Sequence, residues 1–373
     1  MIRKDYRELI AGKFSEEGPG WLFRRVRQYL LLNLSSVMQR SMCGPALGTL
    51  MVTYRCNFDC VMCDIPCRGA ALEGKGLEEF DTDRFKAVIA GFARLGVPGI
   101  GFTGGEPLLR PDIFELLATA RSYGMIVRLN TNGYLLGDDE ADRIIKSCAD
   151  SVNISLDGAR AATHDRVRNF SGAFERVVTA VNRLHRLRQL KGSDLRIKIV
   201  TVVSEDNIDE VPDIITLSRE LGADCIDFIP RQPFASDDAS PSCDAFLARI
   251  ERLSEYLEAA RNQGAPIENS PAHLRLFRSS FAGIPSPVRC NAAYNSLAVD
   301  CFGNVFPCVP WINWGKPIGS VLQENLLDVW HSAEYQLARK DVSRCRDCYL
   351  NCHMELNLLF DLQFRLRLRW RRK

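Results

Sequence analysis

The sequence predicts an α/β fold of parallel strands followed by a small cysteine-rich α+β domain. From residue 47 to about 263, six apolar runs alternate with amphipathic stretches. A strand–helix alternation of this kind gives parallel strands joined by crossover helices. After residue 289 the rhythm changes to short strands, a helix and six closely spaced cysteines.

Residues 1–46 are expected to form a helical extension, with Arg24, Arg25 and Arg27 beside the apolar Tyr29–Leu32. The strand-like runs that follow are Leu47–Tyr54, Gly99–Thr103, Ile126–Asn130, Val152–Leu156, Ile197–Val203 and Cys225–Ile229. They read as continuous apolar stretches, as expected of a sheet covered by helices. The helical patterns between and after them are Asp83–Leu95, Ile113–Tyr123, Asp139–Cys148, Ala173–Leu190, Ile208–Leu221 and Cys243–Asn262. Thr82 is the expected cap of the first, and Pro111 and Asp112 suit the start of the second. Six units fall short of the eight of a closed barrel, so pattern alone admits an open or partial barrel and a doubly wound sheet. Residues 265–288, rich in Pro and Ser, read as a linker. In the final domain, 289–360, Asn295–Asp300 and Asn304–Cys308 flank Gly303 as a hairpin, and Leu322–Tyr335 reads as a helix. In the tail, 361–373, Phe364, Leu366, Leu368 and Trp370 alternate with Arg365, Arg367, Arg369 and Arg371, a period of two that favours a strand.

Hydrophobic residues make up 46% of the 373 and charged residues 25%, which excludes a disordered, collagenous or coiled-coil chain. A net charge of +2 provides no global attraction to nucleic acid. No run approaches the ~18 apolar residues of a membrane span, and no secretory h-region precedes the fold; a cytoplasmic protein is expected. In that compartment, 14 cysteines point to metal rather than to disulfides. Cys43, Cys148, Cys225 and Cys243 have no ligand spacing and read as small buried or incidental residues.

The first cluster is Cys56-x3-Cys60-x2-Cys63, in the loop after the first strand. Three thiolates in one loop can cap three irons of a cubane and leave the fourth open to a ligand. Soft sulfur also suits zinc, but catalytic zinc typically takes histidine, and no His lies in this loop. The motif resembles that of the radical SAM superfamily, over roughly residues 47–230. The resemblance implies a partial (βα)6 TIM-like barrel, a 4Fe–4S cluster on Cys56, Cys60 and Cys63, and S-adenosylmethionine (SAM) on the fourth iron. Met62 stands where the family usually has an aromatic residue against the adenine; a thioether can pack on a ring as well. Cys67 would close the open iron and is read as a non-ligand.

Further motifs fall where the resemblance requires them. Gly104-Gly105-Glu106 ends the second strand and is similar to the family's methionine-binding motif: glycines permit close backbone approach, and a carboxylate suits an ammonium. Asn132 follows the third strand, and Ser155 and Asp157 end the fourth, on the face where βα barrels place their active sites. Ser155 and Asp157 are candidates for the ribose hydroxyls or the methionine portion. Arg168 resembles a family arginine that reaches the SAM carboxylate. General acids, bases and nucleophiles remain unassigned.

The second cluster comprises Cys290, Cys301, Cys308, Cys345, Cys348 and Cys352. It resembles the SPASM and twitch extensions of radical SAM enzymes, although Cys345-x2-Cys348-x3-Cys352 departs from the full two-cluster spacing. One auxiliary 4Fe–4S cluster on Cys290, Cys308, Cys345 and Cys348 is therefore expected, with Cys352 in reserve and Cys301 structural. The resemblance implies a peptide or small-molecule substrate, an external electron donor such as a flavodoxin or ferredoxin, and most directly a peptide-modifying maturase. Tetrapyrrole, sugar and lipid modification share the layout. An iron–sulfur electron carrier and a zinc-binding protein are the alternatives of other classes. The basic residues at both ends add a possible contact with an anionic membrane surface.

Overall fold

A computed structural model describes residues 18–74, 76–232 and 242–360. The strand expected in 361–373 lies outside the described residues. Nine strands form one sheet in the order β6-β5-β4-β3-β2-β1-β7-β8-β9. The first six are β1 Leu47–Met51, β2 Gly99–Thr103, β3 Ile126–Thr131, β4 Ser151–Ser155, β5 Arg196–Val203 and β6 Cys225–Pro230. Each pairs in parallel with its sequence neighbour. A doubly wound sheet reverses its strand order at a switch point; here the order runs on without reversal, as in a partial barrel.

Only one face of these strands lies under helices. In β5, Ile197, Ile199 and Val203 are fully buried, while Arg196, Lys198, Val200 and Val202 on the other face are half-buried. Because strand side chains alternate, the same second face carries Arg128 and Asn130 on β3 and Asn153 on β4. The expected two-sided apolar sheet is thus replaced by an apolar outer face and a polar lumen. Asn130 and Asn153 bond across it at 2.8 Å.

The helix Thr82–Arg94 is capped by Asp81, which accepts from Arg84 N at 2.9 Å. Thr82, the expected cap, is instead its first residue and donates to Asp112 at 2.8 Å. The segment 265–288 is packed rather than a linker. Ile267 bridges Ile226 on β6, the Asn269 amide bonds both backbone groups of Phe228 at 2.8 Å, and short helices Pro271–Leu274 and Phe277–Phe281 follow. It covers a sheet edge that would otherwise offer free backbone groups.

The expected hairpin forms from β7 Ser296–Val299 and β8 Asn304–Phe306. Gly303 turns it at φ +82°, where a Cβ would meet the Phe80 ring at 2.4 Å. The hairpin is not a separate sheet: β7 pairs in parallel with β1 and β9 Gly319–Ser320 closes the row. The helix expected over 322–335 is two helices, Leu326–His331 and Ala333–Arg344, broken at Ser332, which caps the second through Tyr335 N.

The N-terminal helix spans Pro19–Met38. It packs through Trp21, Leu32, Ser35 and Ser36, and Tyr29 stacks on Phe360 at 5.3 Å. Among the described residues, no helix is long and apolar enough to cross a membrane.

Candidate active site and metal centres

Beyond β1 the chain runs on extended against the end of β2. Gly105 N donates to Thr53 O at 2.8 Å and Glu106 N to Arg55 O at 2.9 Å. A Cβ on Gly104 would lie 2.2 Å from Thr53 O, and one on Gly105 2.1 Å from Arg55 O. The two glycines therefore admit the backbone that leads into the cysteine loop, and this approach requires them.

The loop presents three thiols to one another. Cys63 N bonds Cys60 O at 3.0 Å, which folds the loop back. Phe58, between Cys56 and Cys60 in sequence, packs against Phe170 and Tyr134. Burial pushes the Cys63 thiol up to about 11, with Cys60 and Cys56 adding repulsion; burial likewise raises Cys56 and Cys60. Asn132 Nδ2 holds the loop through Asn57 Oδ1 at 2.8 Å and reaches Cys56 Sγ at 4.0 Å. Cys67 is exposed on the next helix, Ile65–Glu73.

Glu106 is fully buried. Its Oε1 accepts from Thr131 Oγ1 at 2.7 Å and Leu108 N at 3.0 Å, and its Oε2 from Asn132 N at 2.7 Å. Burial raises this carboxyl and those donors oppose the shift. Two oxygens offer about four acceptor positions, and the three donors fasten the ends of β2 and β3 through this carboxylate. Thr131 carries no motif of its own in the sequence.

Asp157 is also fully buried and forms an ion pair with Arg168. Its Oδ1 accepts from Val202 N at 2.7 Å. Arg168, 9% exposed, donates from Nη1 to Cys60 Sγ at 3.7 Å; it is not a solvated surface arginine. His164 Nδ1 accepts from Asp157 N at 3.0 Å, and burial lowers the ring to about 3, so the imidazole is neutral. Ser155 sits half-buried at the end of β4. Met62 lies among Val167, Val202, Ser204, Asp206 and Arg231, with no open space between them. Sequence reading missed these five residues. Their only signal is position, since four of them follow or end strands β5 and β6 on the active face of a barrel.

The second site gathers the late cysteines. Cys290 and Cys345 pair with each other, which raises the buried Cys290 thiol and lowers that of Cys345. Cys308 is raised by burial and by the nearby Cys345 and Cys352, and Cys348 by burial and by Cys308, Cys352 and Cys345. Five thiols thus share one neighbourhood, and Cys352 belongs to it. Arg339 positions them: 2% exposed, it stacks 4.6 Å from the rings of Trp330 and Tyr335 and donates to Trp330 O and Ala293 O. It thereby ties the helix that leads into Cys345 to the turn that follows Cys290. Cys301 lies apart. Its sulfur donates to Glu79 Oε1 at 3.6 Å, and the same carboxylate receives Thr53 Oγ1 and Tyr54 N.

All fourteen cysteines are free thiols. Among the described residues, no three His, Cys, Asp or Glu side chains converge closely enough for a single metal ion.

Residues 50–218 match the radical SAM superfamily and residues 290–349 the SPASM iron–sulfur cluster-binding domain. An AdoMet-dependent heme synthase of Methanosarcina barkeri is 29% identical over 78% of this chain and 83% of its own length. A PqqA peptide cyclase of Gluconobacter oxydans is 30% identical over 59% of this chain, which spans 60% of that relative. The crystal structure of Streptococcus suis SuiB aligns with a TM-score of 0.66 at 16% identity, covering 90% of this chain and 78% of SuiB, a likeness of fold.

Proposed function

Because the chain is a radical SAM superfamily enzyme with a C-terminal SPASM domain, we propose that Cys56, Cys60 and Cys63 hold its SAM-binding 4Fe–4S cluster. When bound, that cluster and SAM supply a 5′-deoxyadenosyl radical that takes a hydrogen atom from substrate. The carrying observation is the loop of three mutually facing thiols at the C-terminal end of β1. Glu106 and the Asn130–Gly133 turn offer acceptors to the methionine ammonium. Met62 packs on the adenine, Ser155 takes a ribose hydroxyl, and Arg168 with Asp157 backs the cluster. Cys290, Cys308, Cys345 and Cys348 hold an auxiliary cluster, with Cys352 within reach of the same site. A flavodoxin or ferredoxin is the fitting reductant.

The substrate enters the polar lumen, where Arg128, Asn130, Asn153 and Lys198 face inward. A peptide is the first reading, supported by the PqqA peptide cyclase relative. A tetrapyrrole is the second, favoured by the heme synthase relative, which aligns over the larger share of both chains. The deciding experiment incubates reduced, iron-loaded enzyme and SAM with Fe-coproporphyrin III or with a short peptide encoded beside the gene. A mass loss in the peptide with faster 5′-deoxyadenosine release supports the first reading; the same response to the porphyrin alone replaces it with the second.

A further inference from the structure

The helix Pro19–Met38 is apolar on two opposite faces. One face packs on the fold through Trp21, Leu32, Ser35 and Ser36. The other carries Phe23, Val26, Leu30, Leu34 and Val37 at helical spacing, with Phe23, Leu30 and Val37 exposed by 71%, 60% and 75%. The outward stripe therefore differs from the Tyr29–Leu32 turn that the sequence singled out, in which Leu32 is buried and Tyr29 and Leu31 are half-buried. From Phe23 to Val37 the stripe runs about 21 Å along the helix. A helix apolar on all sides is ordinarily covered, and a contiguous exposed apolar strip marks a surface that meets something else.

Charge identifies the occupant. The helix contains Arg24, Arg25 and Arg27 and no acidic residue. Phe360, the last described residue, stacks on Tyr29 of this same helix. The thirteen residues after it carry Arg365, Arg367, Arg369, Arg371, Arg372 and Lys373 against Asp361 alone. Pairing the stripe with that segment, or with the same helix of a second copy, would bring cation to cation. The stripe is also a convex ridge. A groove between Thr82–Arg94 and Val321–Leu327 lies away from it. A flat, apolar and anionic surface meets all of these conditions.

We propose that this face lies in the plane of an anionic lipid surface. Phe23, Val26, Leu30, Leu34 and Val37 enter the acyl boundary, and the exposed Arg24 and Arg27 meet the headgroup phosphates, while Arg25 bonds Gln28 on the packed side. The assignment is independent of the substrate.

Co-sedimentation of the full-length, iron-loaded protein with vesicles tests it. The vesicles are phosphatidylcholine alone or phosphatidylcholine with phosphatidylglycerol, each at low and high salt. Wild type should pellet with the anionic vesicles and release as salt rises. The double variant Val26→Gln/Leu30→Gln should bind about tenfold more weakly, since it deletes apolar area and leaves charge unchanged. Its iron content and thermal unfolding should match wild type, because both residues are exposed. Arg24→Gln/Arg27→Gln should lose the preference for anionic lipid. Absence of pelleting with either vesicle overturns the proposal, as does pelleting indifferent to the stripe variant. So does a lipid-free dimer, or a complex with an acidic protein, that the stripe variant disperses while vesicle binding stays absent.

Discussion

Arg168 donates to the sulfur of Cys60 at 3.7 Å while its guanidinium is ion-paired with the buried carboxylate of Asp157. A cation is thereby fixed behind one of the three cluster thiols, held by a carboxylate that Val202 N anchors in turn. Helix Ala161–Arg168 and strands β4 and β5 thus converge on the cysteine loop.

Arg168→Gln should destabilise the protein by on the order of 3–5 kcal/mol, because Asp157 is left buried and unpaired. Asp157→Asn added to it should recover most of the loss. In the double variant the first cluster should still assemble and should reduce at a more negative potential, since the Arg168 hydrogen bond to the Cys60 sulfur, which favours the reduced form, is lost while the local net charge is unchanged. A redox titration followed by electron paramagnetic resonance measures the shift; an unchanged potential would separate Arg168 from the cluster.

Gly104→Ala and Gly105→Ala should each displace the cysteine loop, because the new methyl meets the backbone of Thr53 or Arg55 near 2 Å. Iron analysis should then fall from about eight per chain to about four, the auxiliary site keeping its cubane.

Cys301→Ser should retain about eight iron, whereas Cys290→Ser should retain about four. The contrast follows from Cys301 bonding Glu79 while Cys290 bonds Cys345. Equal loss in the two variants would place Cys301 among the ligands.

His164 makes stability fall in acid. Its folded value, about 3, lies below the ordinary 6.5, so the unfolded chain takes the proton first. The contribution is complete above about pH 6.5 and is lost as pH falls toward 3, at up to about 1.4 kcal/mol per pH unit. Urea unfolding of wild type and His164→Gln between pH 7 and 5 should show a shallower dependence in the variant.

The six parallel strands and their helices were legible in the sequence because each is a compact apolar run bounded by turn residues. The three-thiol loop was legible from its spacing alone. What escaped involves partners distant in the chain. The parallel pairing of β7 with β1 joins residues some 250 positions apart, and neither strand's composition encodes it. Residues 265–288 looked like a linker from their Pro and Ser, yet Asn269 substitutes for a strand neighbour by bonding the Phe228 backbone. The glycines of Gly104-Gly105 were read as permitting close backbone approach; the backbone that approaches is that of Thr53 and Arg55, which the sequence does not indicate. Cys352 was held in reserve by spacing, and the fold places it among the auxiliary thiols.

The central claim is that Cys56, Cys60 and Cys63 hold the cluster that cleaves SAM. Anaerobically reconstituted and reduced protein, given SAM, should release 5′-deoxyadenosine and methionine in equal amounts, slowly even without substrate. Cys60→Ala should release neither while retaining about four iron at the auxiliary site. Release by Cys60→Ala at the wild-type rate, or none from fully iron-loaded wild type, would contradict the account.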